Sequence, residues 1–143
     1  MGEERPLVQN ESVGRIFNPK YSPDGKRVVV NWNRTPDAGL WVISLVNNTE
    51  TFLGSGNASL VPAGWSPDEG SIYAFHYPPG HSLLSIPVGH AGRAAPHSML
   101  TAPGDIGYEG ASVSQDGKTF VFSASETKSD VWVVENFDPA YRK

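Results

Sequence analysis

The feature that most constrains this chain is a short segment that occurs three times, each time as a turn followed by a strand. In the first copy, residues 21–30, Ser-Pro-Asp-Gly precedes Val28, Val29 and Val30. Proline presets the backbone for a tight turn, aspartate accepts hydrogen bonds from nearby backbone, and glycine adopts a positive φ. The β-branched run that follows is typical of a strand.

The other two copies are variants of the first. Residues 65–75 contain Ser66-Pro67-Asp68-Glu69-Gly70, in which one residue looks inserted before the glycine. In residues 113–122, Gln115 stands where the first copy has proline. The three serines lie 44 and 48 residues apart. Strand-rich repeats with a period of roughly 40–50 residues are typical of β-propeller blades.

The repeats predict an all-β domain that spans residues 1–143. We expect three four-stranded antiparallel units, at residues 16–57, 58–104 and 105–139, and the 15 glycines and 12 prolines suit such a turn-rich fold. The third unit has no good fourth strand of its own, so residues 5–12 are expected to complete this last blade as its outer strand. Propellers typically have about four to eight blades, so three form only a half or partial propeller. We therefore expect either a homo-oligomer, such as a homodimer of two half-propellers, or the remainder of a longer chain.

The residues around each turn resemble a known family. Pro19 and Pro62 lie three and four residues before the motif serines, and Tyr21 and Trp65 come directly before them. This pattern resembles the TolB-type, WD-repeat-like propeller family, although the third repeat departs from it. The ending, residues 129–139, is similar to the C-terminal blades of bacterial propeller proteins.

The resemblance implies a non-enzymatic binding or scaffold module that presents rim loops to a protein or peptide partner. It also implies that the turn motif is structural. The residues concerned are Ser22, Pro23, Asp24, Gly25, Ser66, Pro67, Asp68, Ser114, Asp116 and Gly117.

Sequence motifs for catalysis or metal binding are weak in this chain. The absence of cysteine excludes disulfides and thiolate chemistry. The four histidines all fall in the second repeat, with a spacing that matches no established zinc pattern. We therefore predict no catalytic residue, metal site or cofactor. The alternative is a propeller hydrolase or lyase, or an accessory domain of one, with polar residues gathered at the propeller axis.

The candidate contact residues follow the second strand of each repeat, because loops on one rim of a propeller can meet a partner together. Trp41 and Trp132 lie inside apolar strands and are expected to pack in the core. Aromatic residues near strand ends are more readily exposed. The predicted partner-binding residues are Trp32, Arg34, His76, Tyr77 and Glu126.

The charge and hydropathy pattern excludes two classes of partner. The net charge of −4, without a clustered basic face, gives no indication of nucleic-acid binding. No apolar run reaches the roughly 18 residues of a membrane span, and residues 1–6 do not form a signal peptide. We expect a soluble protein, cytoplasmic as written and periplasmic if it is part of a longer exported chain.

Overall fold

A computed structural model describes residue 4 and residues 6–8, 14–54, 60–76, 82–89, 96–101, 106–114 and 116–126. In this part of the chain the secondary structure consists of strands, which form three antiparallel sheets. Since the described residues contain no helix, none of them forms a long apolar helix that could cross a membrane.

The first two sheets are four-stranded meanders with neighbouring strands paired in chain order, as the repeats predict. The first sheet contains β1 (Ile16–Tyr21), β2 (Arg27–Trp32), β3 (Gly39–Ser44) and β4 (Glu50–Gly54). The second sheet contains β5 (Leu60–Trp65), β6 (Ser71–His76), β7 (Ser82–Pro87) and β8 (His97–Thr101). β7 ends at Pro87, which has no N–H to donate to the sheet.

The third sheet consists of β9 (Ile106–Val113) and β10 (Phe120–Glu126) within the described residues. Its two strands pair as the first two strands of the other sheets do, with Val113 opposite Phe120. The further strand predicted from the apolar run at residues 130–134 lies outside the described residues.

The three sheets stack face to face through alternate side chains. Between the first and second sheets lie Val29, Leu40, Val42, Leu53, Leu60, Trp65, Ile72, Ala74 and Ile86, all buried. Between the second and third sheets, Phe120 and Phe122 pack against Ala63, Phe75 and Leu83. This period-two alternation gives the second sheet buried residues on both faces.

The outer face of the first sheet is covered by the N-terminal segment. Leu7 and Val8 pack against it, together with the sheet's own neighbouring side chains. The buried residues on this face are Val28, Val30, Trp32, Trp41 and Ile43. The described part of residues 5–12 therefore contacts the first sheet, and its pairing with the last sheet stays a prediction.

Equivalent ends of the sheets lie side by side. At one end, Trp65 Nε1 donates to the Lys20 carbonyl at 3.0 Å, and at the other Asn31 Nδ2 donates to the Leu60 carbonyl at 2.5 Å. We call the edge that carries the three repeated turns, residues 22–26, 66–70 and 114–118, the turn rim. The opposite rim carries the ends of β2, β6 and β10, which pair with the first residues of β1, β5 and β9.

Candidate functional site

The three turns of the turn rim share one hydrogen-bond pattern. In the first turn, the Ser22 hydroxyl donates to Asp24 Oδ1 at 2.6 Å and accepts from the Arg27 N–H at 3.0 Å. Asp24 Oδ1 also accepts from the Lys26 N–H at 3.0 Å. Ser66 with Asp68, and Ser114 with Asp116, repeat these contacts. The serine and aspartate of the motif therefore hold each turn together through hydrogen bonds.

The second turn contains no inserted residue. The backbone N–H of Ser66 donates to the carbonyl of Ser71, five residues on, just as Ser22 donates to Arg27. Glu69 therefore occupies the position of Gly25 and Gly117, with a φ of 58° where both glycines have 69°. The predicted insertion is wrong because a glutamate stands at the positive-φ position and the glycine follows it.

The Glu69 side chain explains why a strained residue is tolerated there. Its carboxylate accepts a hydrogen bond from the Asp24 N–H at 2.8 Å and forms an ion pair with Arg27. The Arg27 guanidinium in turn lies 4.8 Å from the centre of the Trp65 ring. Glu69 thus ties the turn of the second sheet to the turn of the first, a contact that glycine could not make.

The strain at Glu69 predicts an unusual order of stabilities. Both Glu69→Ala and Glu69→Gly remove the carboxylate, but alanine retains a Cβ in a left-handed conformation. We expect Glu69→Ala to be less stable than Glu69→Gly by about 1 kcal/mol in urea unfolding. At Glu50, in β4, the order should reverse because glycine weakens a strand. If the alanine and glycine variants had the same order of stability at Glu69 and at Glu50, the positive φ of Glu69 would be contradicted.

The three turn aspartates are hydrogen-bonded in their charged form. The hydroxyl of Ser22 and the N–H of Lys26 lower the pKa of Asp24 below its ordinary value of 3.8. Ser66 and the N–H of Gly70 lower the pKa of Asp68, and Ser114 and the N–H of Lys118 lower that of Asp116. Because all three carboxylates lie at the surface, these lowered pKa values indicate well-ordered turns and not a reactive acid.

These lowered pKa values predict a loss of stability in acid. A carboxylate whose pKa is lower in the folded than in the unfolded chain stabilises the fold above the unfolded pKa. That contribution disappears as the pH falls through the folded pKa. We expect the urea concentration at the unfolding midpoint to decrease when the pH is lowered below about 4, and to decrease less in Asp68→Asn. Asp37→Asn, outside the turns, is the control, and equal acid sensitivity of both variants would contradict this account.

A cleft of about 260 Å³ opens at the turn rim between the first strands of the three sheets. Tyr21 on one wall is 70% exposed, and Lys20 beside it is half-buried. The cleft is lined by Lys20, Tyr21, Pro23, Ala63, Gly64, Trp65, Ser112, Val113 and Ser114. We call this the inner cleft. It combines an aromatic ring, a cationic side chain and hydroxyl groups.

The opposite rim differs from the prediction at Trp32. Trp32 is 1% exposed and lies edge-on to Trp41, with ring centres 5.7 Å apart, so its expected exposure is wrong. Arg34 is held by two contacts: its guanidinium lies 3.7 Å from the Trp41 ring centre and forms a 2.6 Å ion pair with Glu50. Trp32 is buried because the Arg34 side chain covers the end of β2. The Arg34 guanidinium lies 4.4 Å from the centre of the Trp32 ring.

Two other predicted residues of this rim, His76 and Glu126, belong to other sheets than the contacting residues Trp32, Arg34, Trp41 and Glu50, which we call the Arg34 cluster. His76 ends β6 and is half-buried. Glu126 ends β10 on the same rim, and Tyr77 lies outside the described residues. The structure places the strand ends of His76 and Glu126 at equivalent positions, and their contact with a partner stays a prediction.

Sequence reasoning missed the inner cleft. Lys20, Tyr21 and Ser112 come just before the turn motif, where the pattern indicates only strand residues. The available signal was position: the residue before the turn serine of one repeat contacts the first strand of the preceding sheet, as Trp65 contacts Lys20. Among the described residues, no three His, Asp or Glu side chains are grouped as a metal site would require.

Comparison with known proteins gives a likeness in structure. No family model and no curated protein matches the sequence. A solved structure from a study of two prolyl endopeptidases, on inter-domain dynamics in catalysis and specificity, is similar with a TM-score of 0.62 and 17% sequence identity. The match covers 82% of this chain and 19% of that propeller-containing protein. At this identity the likeness shows the fold alone: this chain is an all-β protein of antiparallel sheets.

Proposed function

We propose that the three sheets are blades of a TolB-like β-propeller and that this propeller is a non-enzymatic binding platform for a protein or peptide. The observation that supports this most directly is the inner cleft, which is walled by the first strands of all three sheets. First strands that adjoin in this way correspond to the central funnel of a propeller.

The turn rim is well suited to hold such a cleft open in a fixed shape. Glu69 bonds to the preceding turn, and a Cβ placed on Gly117 would lie 2.6 Å from Pro67 Cγ of the preceding sheet. These contacts lock successive turns against each other. A rigid rim reduces the ordering entropy that binding would otherwise cost.

The size and lining of the inner cleft suit one side chain of an extended peptide. Its volume of about 260 Å³ lies below the roughly 300–1,000 Å³ of cofactor and small-molecule sites. Lys20 favours an acidic group on the ligand, and Tyr21 offers an aromatic surface with a hydroxyl. We therefore propose that the partner inserts an acidic side chain or a terminal carboxylate.

A second candidate function is the accessory domain of a hydrolase. The likeness to a prolyl endopeptidase favours it, because that protein's study concerns inter-domain dynamics in catalysis and specificity. In this case the propeller would admit or orient a peptide for a catalytic domain elsewhere. The two candidates share a peptide ligand and differ in whether it is cleaved.

Peptide display tests the binding proposal. The chain is screened against a library of random peptides that is balanced for charge, and each selected peptide is checked for cleavage by mass spectrometry. We expect acidic peptides to be enriched and left intact. Lys20→Glu should weaken their binding at least tenfold, whereas Lys26→Glu, on the turn but outside the cleft, should weaken it far less.

Three results would count against the proposal: no enrichment of acidic peptides, equal losses in both lysine variants, or cleavage of the bound peptides. Cleavage by this chain alone, lost in His76→Ala, would instead support the alternative of a propeller hydrolase. Cleavage only after a catalytic domain is added would support the accessory role.

A further inference from the structure

Two repeat positions are buried inside the stack of sheets and exposed at its ends. Trp65 and Tyr21 both come directly before a turn serine, yet Trp65 is 5% exposed and Tyr21 is 70% exposed. Val29 and Val121 both lie seven residues after a turn serine, yet Val29 is 0% exposed and Val121 is 64% exposed. The same positions thus have opposite surroundings according to where their sheet lies in the stack.

The buried pair shows what these positions do. Trp65 and Val29 belong to the same apolar cluster between the first and second sheets, and Trp65 Nε1 donates to the Lys20 carbonyl. The next interface repeats this contact, since a Cβ placed on Gly64 would lie 3.3 Å from Val113 Cγ2. The residue before each turn therefore rests on the backbone of the preceding sheet, two residues before that sheet's turn serine.

The first sheet has an open groove where a preceding sheet would pack. The groove has a volume of about 400 Å³ and is lined by Pro6, Leu7, Pro19, Tyr21, Val28, Leu45 and Asn48. We call it the Tyr21 groove. Leu7 and Val8 cover the same face further along. At the other end of the stack, the outer face of the third sheet presents Val121 and Ser123 to solvent.

We propose that the Tyr21 groove binds the outer face of the third sheet of a second copy of this chain, head to tail. One chain carries both halves of the interface, so a second copy offers its third sheet to the groove and its groove to the third sheet. Two copies then cover each other's open ends at once, and their six sheets close a ring. Six blades lie within the usual range of about four to eight in propellers. The contact continues one that already occurs twice within the chain.

The docked geometry follows from the internal interfaces. Val121 of one copy takes the place of Val29, and Tyr21 of the other takes the place of Trp65. Its hydroxyl then donates to the carbonyl of the partner's Ser112, as Trp65 donates to Lys20. Docking displaces Pro6 and Leu7 from the groove, toward the third sheet of the partner, where residues 5–12 were predicted to add a strand.

Light scattering on a sizing column at several concentrations tests this interface on the full chain. We expect a mass that rises with concentration to twice the 15.4 kDa of one copy. Tyr21→Asp and Val121→Lys should each give a monomer with the urea midpoint that the unmodified chain has at concentrations too low for dimers, because both residues are exposed within one chain. Met99→Lys, in β8 of the second sheet and 52% exposed, is the control and should still dimerise.

Mixing the two variants tests the head-to-tail arrangement itself. A mixed pair has one unaltered interface and one in which the introduced aspartate faces the introduced lysine, so an equimolar mixture should dimerise although neither variant does alone. A monomer at every concentration would overturn the proposal and leave the groove to the chain's own residues 6–8 or to another sheet. Three further results would also overturn it: a dimer that survives both substitutions, a dimer that is lost in Met99→Lys, or a mixture that stays monomeric.

Discussion

Replacing Phe75 with alanine should lower the free energy of unfolding by about 3–5 kcal/mol, more than half of what many small domains possess. Phe75 is 2% exposed and lies between the second and third sheets. Its ring centre is 5.6 Å from that of Phe120 and 6.2 Å from that of Phe122, both in edge-on arrangements. Removing it leaves a cavity that the two sheets cannot close without moving together.

Urea unfolding followed by far-UV circular dichroism gives this loss directly. Phe17→Ala is the matched control, because Phe17 lies in β1 but is 42% exposed, and we expect it to cost less than about 1 kcal/mol. Phe75→Leu should fall between the two, since it refills part of the cavity. Similar costs for Phe75→Ala and Phe17→Ala would show that the third sheet does not pack on Phe75.

Much of the fold could be predicted because its signals are local. The turn motif specifies a hydrogen-bond pattern that closes within six residues, and β-branched or aromatic residues follow it each time. From these, the two four-stranded meanders and the β9–β10 pair were placed correctly. The continuous apolar run Val28-Val29-Val30 of β2 fits its two buried faces, because successive side chains of a strand point to opposite faces of the sheet.

What the sequence did not predict depends on contacts between sheets. Glu69 looked like an insertion because its role is to reach the previous turn, 45 residues away in the chain, and nothing local marks that contact. Trp32 is predicted at the surface because it lies near a strand end. Its burial and the half-buried position of Arg34 depend on Trp41 and Glu50, which come from other strands of the sheet.

The candidate site was missed for a related reason. Rim loops after the second strands were chosen because loops usually carry binding residues. The inner cleft is instead formed by strand residues of three different sheets, and only their stacking brings Lys20 and Ser112 to one opening. A repeat predicts which residues occupy equivalent positions, but the distances between those residues can be read only from the structure.

The Arg34 cluster carries the second large effect, through Trp41. Trp41 is 5% exposed and contacts the rings of Trp32 and Phe52, with centres 5.7 and 5.0 Å away. Its Nε1 donates to the Asp37 carbonyl at 3.0 Å, and the Arg34 guanidinium stacks over it. Trp41→Ala removes all of these contacts together, so we expect a loss of about 3–5 kcal/mol.

Comparison with Trp41→Phe separates packing from hydrogen bonding. Phenylalanine keeps a ring under Arg34 but cannot donate to Asp37, so this variant should lose about 0.5–1.5 kcal/mol. Val46→Ala, at an exposed turn residue, controls for unrelated losses. In Trp41→Ala, Arg34 and Glu50 should become more accessible to solvent, so Glu50→Gln should then cost less than it does in the unmodified chain. If Glu50→Gln costs the same in both backgrounds, Trp41 does not position Arg34, and the opposite rim is held together by the ion pair alone.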